Sequence, residues 1–316
     1  MPGKQIGPRV SAADAAGLAE AAALLRGGVP VAVPTETVYG LAARADDAAA
    51  VAAIYRAKGR PSFNPLIVHV ADVAAGAALA EFDARALALA HAFWPGALTM
   101  VLPLKPTARI AQAVTAGLPT IALRCPAHPV MRALLELVGH PLAAPSANRS
   151  GGVSPTTASH VAASLAGRIE LVIDGGTCAA GLESTIAALR SDGSWQLLRP
   201  GPVTEDQIAA VLGGPAGCVT SAAIEVPGQL ASHYSPGKPL RLGALGAQAG
   251  EFLIGFGPLA GDFNLSASGD LAEAAARLYA ALHHAAAARH PRIAVAALPG
   301  SGIGAAINDR LRRAAV

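Results

Sequence analysis

Short apolar runs alternating with alanine-rich stretches constrain this chain more than any other feature. Runs at 29–33, 66–70, 98–102, 120–124, 141–144, 171–174 and 184–189 are leucine-rich or β-branched and bounded by polar or turn residues. That is how strands covered on both faces read. Between them, helical stretches are predicted from Ser11 to Gly27, with Ser11 and Asp14 as the capping pair, and over 46–58 closed by Gly59, 85–93, 129–138 and 157–165. Strands alternating with helices predict an α/β sheet flanked by helices, over residues 1–213. Residues 214–238 hold Gly-Gly-Pro and Pro-Gly with little periodicity. They read as a linker longer than ordinary loops, and loops that long are usually functional. Strand patterns at 252–256 and 293–297 and helical patterns at 268–287 and from Ile303 predict a second, smaller α/β domain over 239–316.

Charge narrows the function. Lys and Arg number 24 against 21 Asp and Glu, a net +3, which excludes a polycationic nucleic-acid coat protein. With 53% apolar residues a disordered chain is excluded as well. The longest uncharged run, 86–104, approaches membrane-spanning length. His91, Pro95, Gly96 and Pro103 interrupt it, so it is expected to be a helix, a turn and a strand. Asp14, Glu20 and Arg26 break up the N-terminal alanine stretch, leaving no signal-peptide core. Cys125, Cys178 and Cys218 are far apart, which suggests neither disulfides nor zinc, and a cytoplasmic location is expected.

Polar residues gather where the predicted strands end. After the first, Pro34-Thr35-Glu36-Thr37-Val38-Tyr39-Gly40-Leu41 presents two hydroxyls, a carboxylate and a phenol. In open α/β sheets ligands sit beyond the carboxyl ends of strands, although a tight turn fits this segment equally. Arg56, Lys58 and Arg60 stand in a stretch without acids that runs into Pro61-Ser62-Phe63-Asn64-Pro65. Cations on a loop suit an anion, as they also suit a helix C-terminus. His69 lies inside the apolar run 66–70, near its carboxyl end, where a satisfied core histidine fits as well as a site residue. Arg124 ends a further apolar strand in a charge that needs a partner if buried, such as a ligand carboxylate. Ala144-Pro145-Ser146-Ala147-Asn148-Arg149-Ser150-Gly151-Gly152-Val153-Ser154 offers many hydroxyl and backbone donors suited to an anion, although a plain flexible loop reads the same way. Asp174-Gly175-Gly176, Glu183-Ser184-Thr185 and Leu198-Arg199-Pro200-Gly201 add more polar ends. Gly300-Ser301-Gly302-Ile303-Gly304-Ala305 fits a dinucleotide fingerprint on paper, but too few residues follow to supply its ribose-binding acid. One large polar crevice accounts for these ends together. With no catalytic triad, paired acids or metal-ligand cluster evident, positioning and electrostatics remain, as in nucleotidyl transfer.

PTETVYGL, KGRPSFNPL with IVHV, FWPGALT, APSANRSGG and the LESTI to LLRPG stretch occur in order across residues 30–205 and resemble the threonylcarbamoyl-AMP synthase family. The Ser-His-Tyr234-Ser-Pro-Gly linker and the α/β tail resemble its two-domain members. The resemblance implies a YrdC-like twisted open sheet plus a Rossmann-like C-terminal domain. It also implies a reaction of L-threonine, bicarbonate or carbon dioxide, and ATP to threonylcarbamoyl-AMP and pyrophosphate, with no protein-held metal. An enzyme system that modifies tRNA would take the product, a weak tRNA contact is among the implied partners, and no membrane is involved. By motif, Thr37, His69, Arg124, Ala144 and Ser184 would hold threonine. Lys58, Arg60, Asn64, Thr120, Ser146, Asn148, Ser154, Arg199 and Tyr234 would meet ATP, with Lys58, Arg60, Ser146 and Asn148 as the catalytic set. Mg2+ would be held mainly through the ATP phosphates, and the linker bearing Tyr234 would be a lid. The rival expectations are an RNA-binding YrdC-like module and a carbamoyltransferase acting on a small molecule.

Overall fold

The computed structural model describes residues 7–217, 225–227 and 233–316. Cys218 and parts of the expected lid, 218–224 and 228–232, lie outside them. The strands are β1 (Arg9–Ala12), β2 (Val31–Val33), β3 (Gly40–Arg44), β4 (Ile67–His69), β5 (Leu98–Pro103), β6 (Thr120–Arg124), β7 (Leu142–Ala143), β8 (Leu171–Asp174), β9 (Thr185–Leu189), β10 (Trp195–Arg199), β11 (Leu240–Ala244), β12 (Glu251–Gly255), β13 (Phe263–Asn264) and β14 (Arg292–Ala296). The first ten form one sheet in the order β1-β8-β2-β3-β7-β4-β6-β5-β9-β10, and the last four a second, β11-β14-β12-β13. The large sheet is mixed, with β4 and β6 parallel while β7 runs antiparallel to β4. The small sheet is parallel throughout.

Local chemistry sets the helix ends. Asp47 caps Ala48–Lys58 by accepting from the Ala49 and Ala50 amides, and Gly59 closes it in the left-handed conformation. His128 and Pro129 open Pro129–Val138. Thr204 and Gln207 make a capping box on Glu205–Leu212. Against expectation, Ser11 belongs to β1, and Asp14 caps the first helix, Ala15–Arg26, alone. Strands β1, β3, β10, β11 and β13 were not foreseen. Residues 86–104 divide as expected, into the end of helix Ala84–Phe93, a turn, and β5. No helix of the described residues is long and apolar enough to cross a membrane.

Alternation along the strands places the site. Ala32, Leu41, Val68, Met100 and Leu123 face the main core, whereas Val31, Val33, Ala42 and Leu142 pack on the other face against helices Ala15–Arg26 and Pro129–Val138. Farther along that second face Ile67 and Ala122 join Val101, Ile186, Leu198 and the linker residue Val226 in a smaller cluster. Register sets Ile67 beside Ala122 and His69 beside Arg124. Polar and charged groups therefore share this face where no helix covers it, under the linker and the second domain. The second core, centred on helix Leu271–Ala287, reaches back to take in Val38, Val153 and Leu182.

Candidate active site

One cavity with an empty volume of about 480 Å3 opens on that face. Among its lining residues are Thr37, Arg60, His69, Arg124, Ala144, Ser146, Ser184, Arg199 and Tyr234, drawn from segments up to two hundred positions apart. Val38, Ile67, Pro145, Glu183, Pro227 and His233 complete it.

Each guanidinium is held by its root. Arg124 Nε donates to Gly96 O (3.1 Å), Nη1 to Thr37 Oγ1 (2.9 Å) and Nη2 to Glu36 Oε1 (2.6 Å). The partner that a buried Arg124 needs is supplied within the chain: Glu36 balances its charge. Burial opposes ionisation of Glu36, but Arg124 beside it holds its carboxyl below the usual range. A guanidinium has five N–H groups, so Arg124 keeps one on each Nη, a pair spaced for a carboxylate. Arg199 repeats the arrangement, donating Nε to Ser184 O (3.0 Å), Nη2 to Ser184 Oγ (3.1 Å) and Nη1 to Pro227 O (3.3 Å). Arg60 gives Nε to Asn64 O (3.2 Å) and Nη2 to Pro65 O (2.9 Å), so it has structural partners that its sequence did not reveal. Burial brings the Arg60 pKa down to about 10, still charged at neutral pH.

Several expected residues build the walls from behind. Lys58 donates Nζ to the Ser146 (2.5 Å) and Asn148 (2.6 Å) carbonyls, and burial, then Arg60, pushes its pKa well below the ordinary lysine value. Asn148 ties its own loop through the Arg149 and Gly152 carbonyls (both 2.8 Å). Ser154 donates to Glu183 Oε1 (2.5 Å). Asn64 lies on the Arg60 loop. Thr120 shares the sheet face with Arg124 but stands at the opposite end of β6, about 13 Å away at the usual rise of a strand. Lys58, Asn64, Thr120, Asn148 and Ser154 do not line the cavity. Arg56 is exposed at a helix end, as helix-end chemistry alone would place it.

Among the described residues, Asn64 Oδ1, His69 Nδ1, Asn148 Oδ1, His233 Nδ1, His290 Nδ1 and Arg310 Nη2 are buried without a hydrogen-bond partner. Unpaired buried polar atoms are costly, and His69 and His233 carry theirs in the cavity wall. The roof carries a second cost: Tyr234, fully buried, has φ 65°, a left-handed backbone that a bulky residue rarely adopts. Sequence reasoning passed over Pro227 and His233, although His233 stands within the quoted linker motif, and it noted the Glu36 carboxylate without pairing it with Arg124.

Burial, then Arg124, lowers the His69 pKa to about 3, and burial lowers that of His233 to about 3 and of His160 to about 4. The unfolded chain, with histidine near 6.5, binds the extra protons first. Stability is therefore expected to fall as pH drops from about 6.5 toward 3, by roughly 2 kcal/mol at pH 5 for a histidine like His69. Thermal unfolding between pH 7 and 5 checks this; a midpoint that does not move contradicts it.

Residues 23–201 match the Sua5, YciO and YrdC family model, described as telomere recombination, and residues 203–316 match the C-terminal domain of threonylcarbamoyl-AMP synthase. The chain belongs to the threonylcarbamoyl-AMP synthase family. A family relative from Bacillus subtilis, named threonylcarbamoyl-AMP synthase, is 49% identical over 231 residues, covering 71% of this chain and 66% of its own length. The aligned stretch thus spans just under two thirds of that relative. The solved structure of a Pyrococcus abyssi Sua5 variant superposes with a TM-score of 0.87 at 35% identity, covering 98% of this chain and 96% of that one. P. abyssi Sua5 complexed with L-threonine superposes with a TM-score of 0.85 at 37% identity, each chain covered to 94%. The twisted mixed sheet and the smaller parallel-sheet domain are those of this family.

Proposed function

We propose that the chain is an L-threonylcarbamoyladenylate synthase, making threonylcarbamoyl-AMP and pyrophosphate from L-threonine, bicarbonate or carbon dioxide, and ATP. The observation that carries this reading is the convergence of Arg60, Arg124 and Arg199 on one cavity, each held by its root. The paired free N–H groups of Arg124 suit the threonine carboxylate, with Thr37, Ala144, Ser184 and the neutral ring of His69 around it. That the similar P. abyssi Sua5 has been solved with L-threonine supports threonine as the amino acid bound.

The threonine amine adds to carbon dioxide as a carbamate, losing a proton. A carbamate oxygen then attacks the ATP α-phosphorus, the bond to the bridging oxygen breaks, and pyrophosphate leaves. Arg60 and Arg199 meet the negative charge that grows on the phosphates, and each such contact is worth roughly 3 kcal/mol. Ser146 reaches the cavity on a loop that Lys58 and Asn148 fix, so these two act by positioning it. Asn64 and Ser154 act on the ATP side through Arg60 and Glu183, to which they are hydrogen-bonded, and Thr120 lies farther along the face of Arg124. A Mg2+ ion would be held mainly through the phosphates rather than by a set of side chains, and when bound would neutralise phosphate charge. Because carbamates hydrolyse, water must be kept out, and Pro227, His233 and Tyr234 form the cover. The product would pass to an enzyme system that modifies the adenosine beside the anticodon of tRNA, with any contact to tRNA itself weak, and a cytoplasmic location goes with that reading.

Pyrophosphate release should require ATP, bicarbonate and L-threonine together, and other amino acids should not replace threonine. Turnover with carbamoyl phosphate and no threonine would support a small-molecule carbamoyltransferase instead. RNA binding with no turnover would support the binding module.

A further inference from the structure

Glu183 is a carboxylate in a wall that also carries Arg60, Arg124 and Arg199. Both its oxygens are occupied. Oε1 accepts from Ser154 Oγ, and Oε2 accepts from the Tyr279 hydroxyl (2.7 Å) and from Arg310 Nε (2.8 Å), on helices Leu271–Ala287 and Ile303–Ala314 of the second domain. Arg310 is wholly buried. Its Nη1 donates to Asp309 Oδ2 (2.7 Å), its guanidinium carbon lies 5.5 Å from the centroid of the Tyr234 ring, and its Nη2 has no hydrogen-bond partner. Gly181, two residues before Glu183, meets helix Leu271–Ala287 so closely that a Cβ would stand 2.4 Å from Ala276 Cα. The Glu183 segment is thus clamped to the second domain. Burial alone would raise the Glu183 carboxyl, but Arg310, then Arg199 and the Ser154 hydrogen bond, bring it to about 2. Were Arg310 absent, Arg199 would be the opposite charge left to pair with it.

We propose that Arg310 and Tyr279 are positioning residues of the ATP site: they hold Glu183 so that Arg199 keeps its free N–H groups for the phosphates. The second domain is therefore part of the site rather than an appendage to it. An ion pair buried at such a cost does more than packing, which apolar residues achieve as well. The proposal rests on the synthase reading for the identity of the ligand.

Calorimetric titration of ATP into the full chain, without threonine or bicarbonate, tests it. Arg310→Met should weaken ATP binding by about tenfold or more while threonine binding changes by less than about threefold. The double variant Glu183→Gln/Arg310→Met should return ATP affinity to within about threefold of the unsubstituted chain. A mere structural brace would leave the double variant as impaired as the single. The proposal is overturned if Arg310→Met binds ATP normally, if it loses threonine to the same degree, or if the double variant is not restored. Should Arg310→Met fail to fold, the double variant decides: folded with near-normal affinity supports the proposal, and weak binding or misfolding overturns it. An unsubstituted chain that bound no ATP would count against the synthase reading itself and take this proposal with it.

Discussion

Arg60→Ala is expected to slow pyrophosphate release about a hundredfold, the consequence of losing roughly 3 kcal/mol of charge stabilisation on the departing phosphates. Arg60 lines the cavity, stays cationic despite its burial, and has no carboxylate hydrogen-bonded to it. Its two bonds to the Asn64 and Pro65 carbonyls aim it, and losing them should lower the melting midpoint modestly, since each neutral-acceptor bond contributes about 1 kcal/mol or somewhat more. Rate and stability therefore separate: the defect should appear in kcat at saturating substrates, with the chain still folded. Arg60→Lys should recover part of the rate, because charge remains while the fork is lost. Near-normal turnover in Arg60→Ala would remove this residue from the chemistry.

Arg124→Met should do damage of two kinds. It leaves Glu36 unbalanced and mostly buried, which in comparable pairs costs roughly 3–5 kcal/mol of stability, and it removes the group assigned to the threonine carboxylate. The second substitution in Glu36→Gln/Arg124→Met should restore most of the melting midpoint and none of the threonine affinity. In this it is the opposite of the Glu183 and Arg310 pair, where neutralising both partners should restore ligand binding. Threonine affinity that recovers in the Glu36→Gln/Arg124→Met protein would mean that Arg124 only braces the loop at Thr37.

Much of the fold is legible because short-range signals mark it. Asp47 and Gly59 bracket a helix, Pro129 opens another, and β6 and β8 are unbroken apolar runs that end in charge. Strand β3, Gly-Leu-Ala-Ala-Arg, carries no β-branched residue; its pairing with β2 and β7 makes it a strand, and such pairing is invisible locally. Ser11 misled because Asp14, three residues on, caps the helix without it. For the site, the polar strand ends identify the residues that line the cavity, since sheet geometry brings such ends together. They do not tell a wall from its support: Lys58 and Ser154 look as exposed to a ligand in the sequence as Arg60 and Ser146 do, and only the carbonyls of Ser146 and Asn148 and the carboxylate of Glu183 show where they point. Arg310 lies in no motif at all. Its partner Glu183 is 127 positions away, on the other domain, and an arginine on an amphipathic helix, such as Arg312 close by, ordinarily faces solvent.

The central claim is that this cavity joins a carbamate of threonine to the α-phosphate of ATP. Mass spectrometry of the nucleotide products after incubation with ATP, L-threonine and isotopically labelled bicarbonate tests it most directly. An adenylate carrying both the threonine residue and the labelled carbon, formed in step with pyrophosphate, is the predicted result. Pyrophosphate without a labelled threonine-bearing adenylate, or no adenylate of any kind, would contradict it.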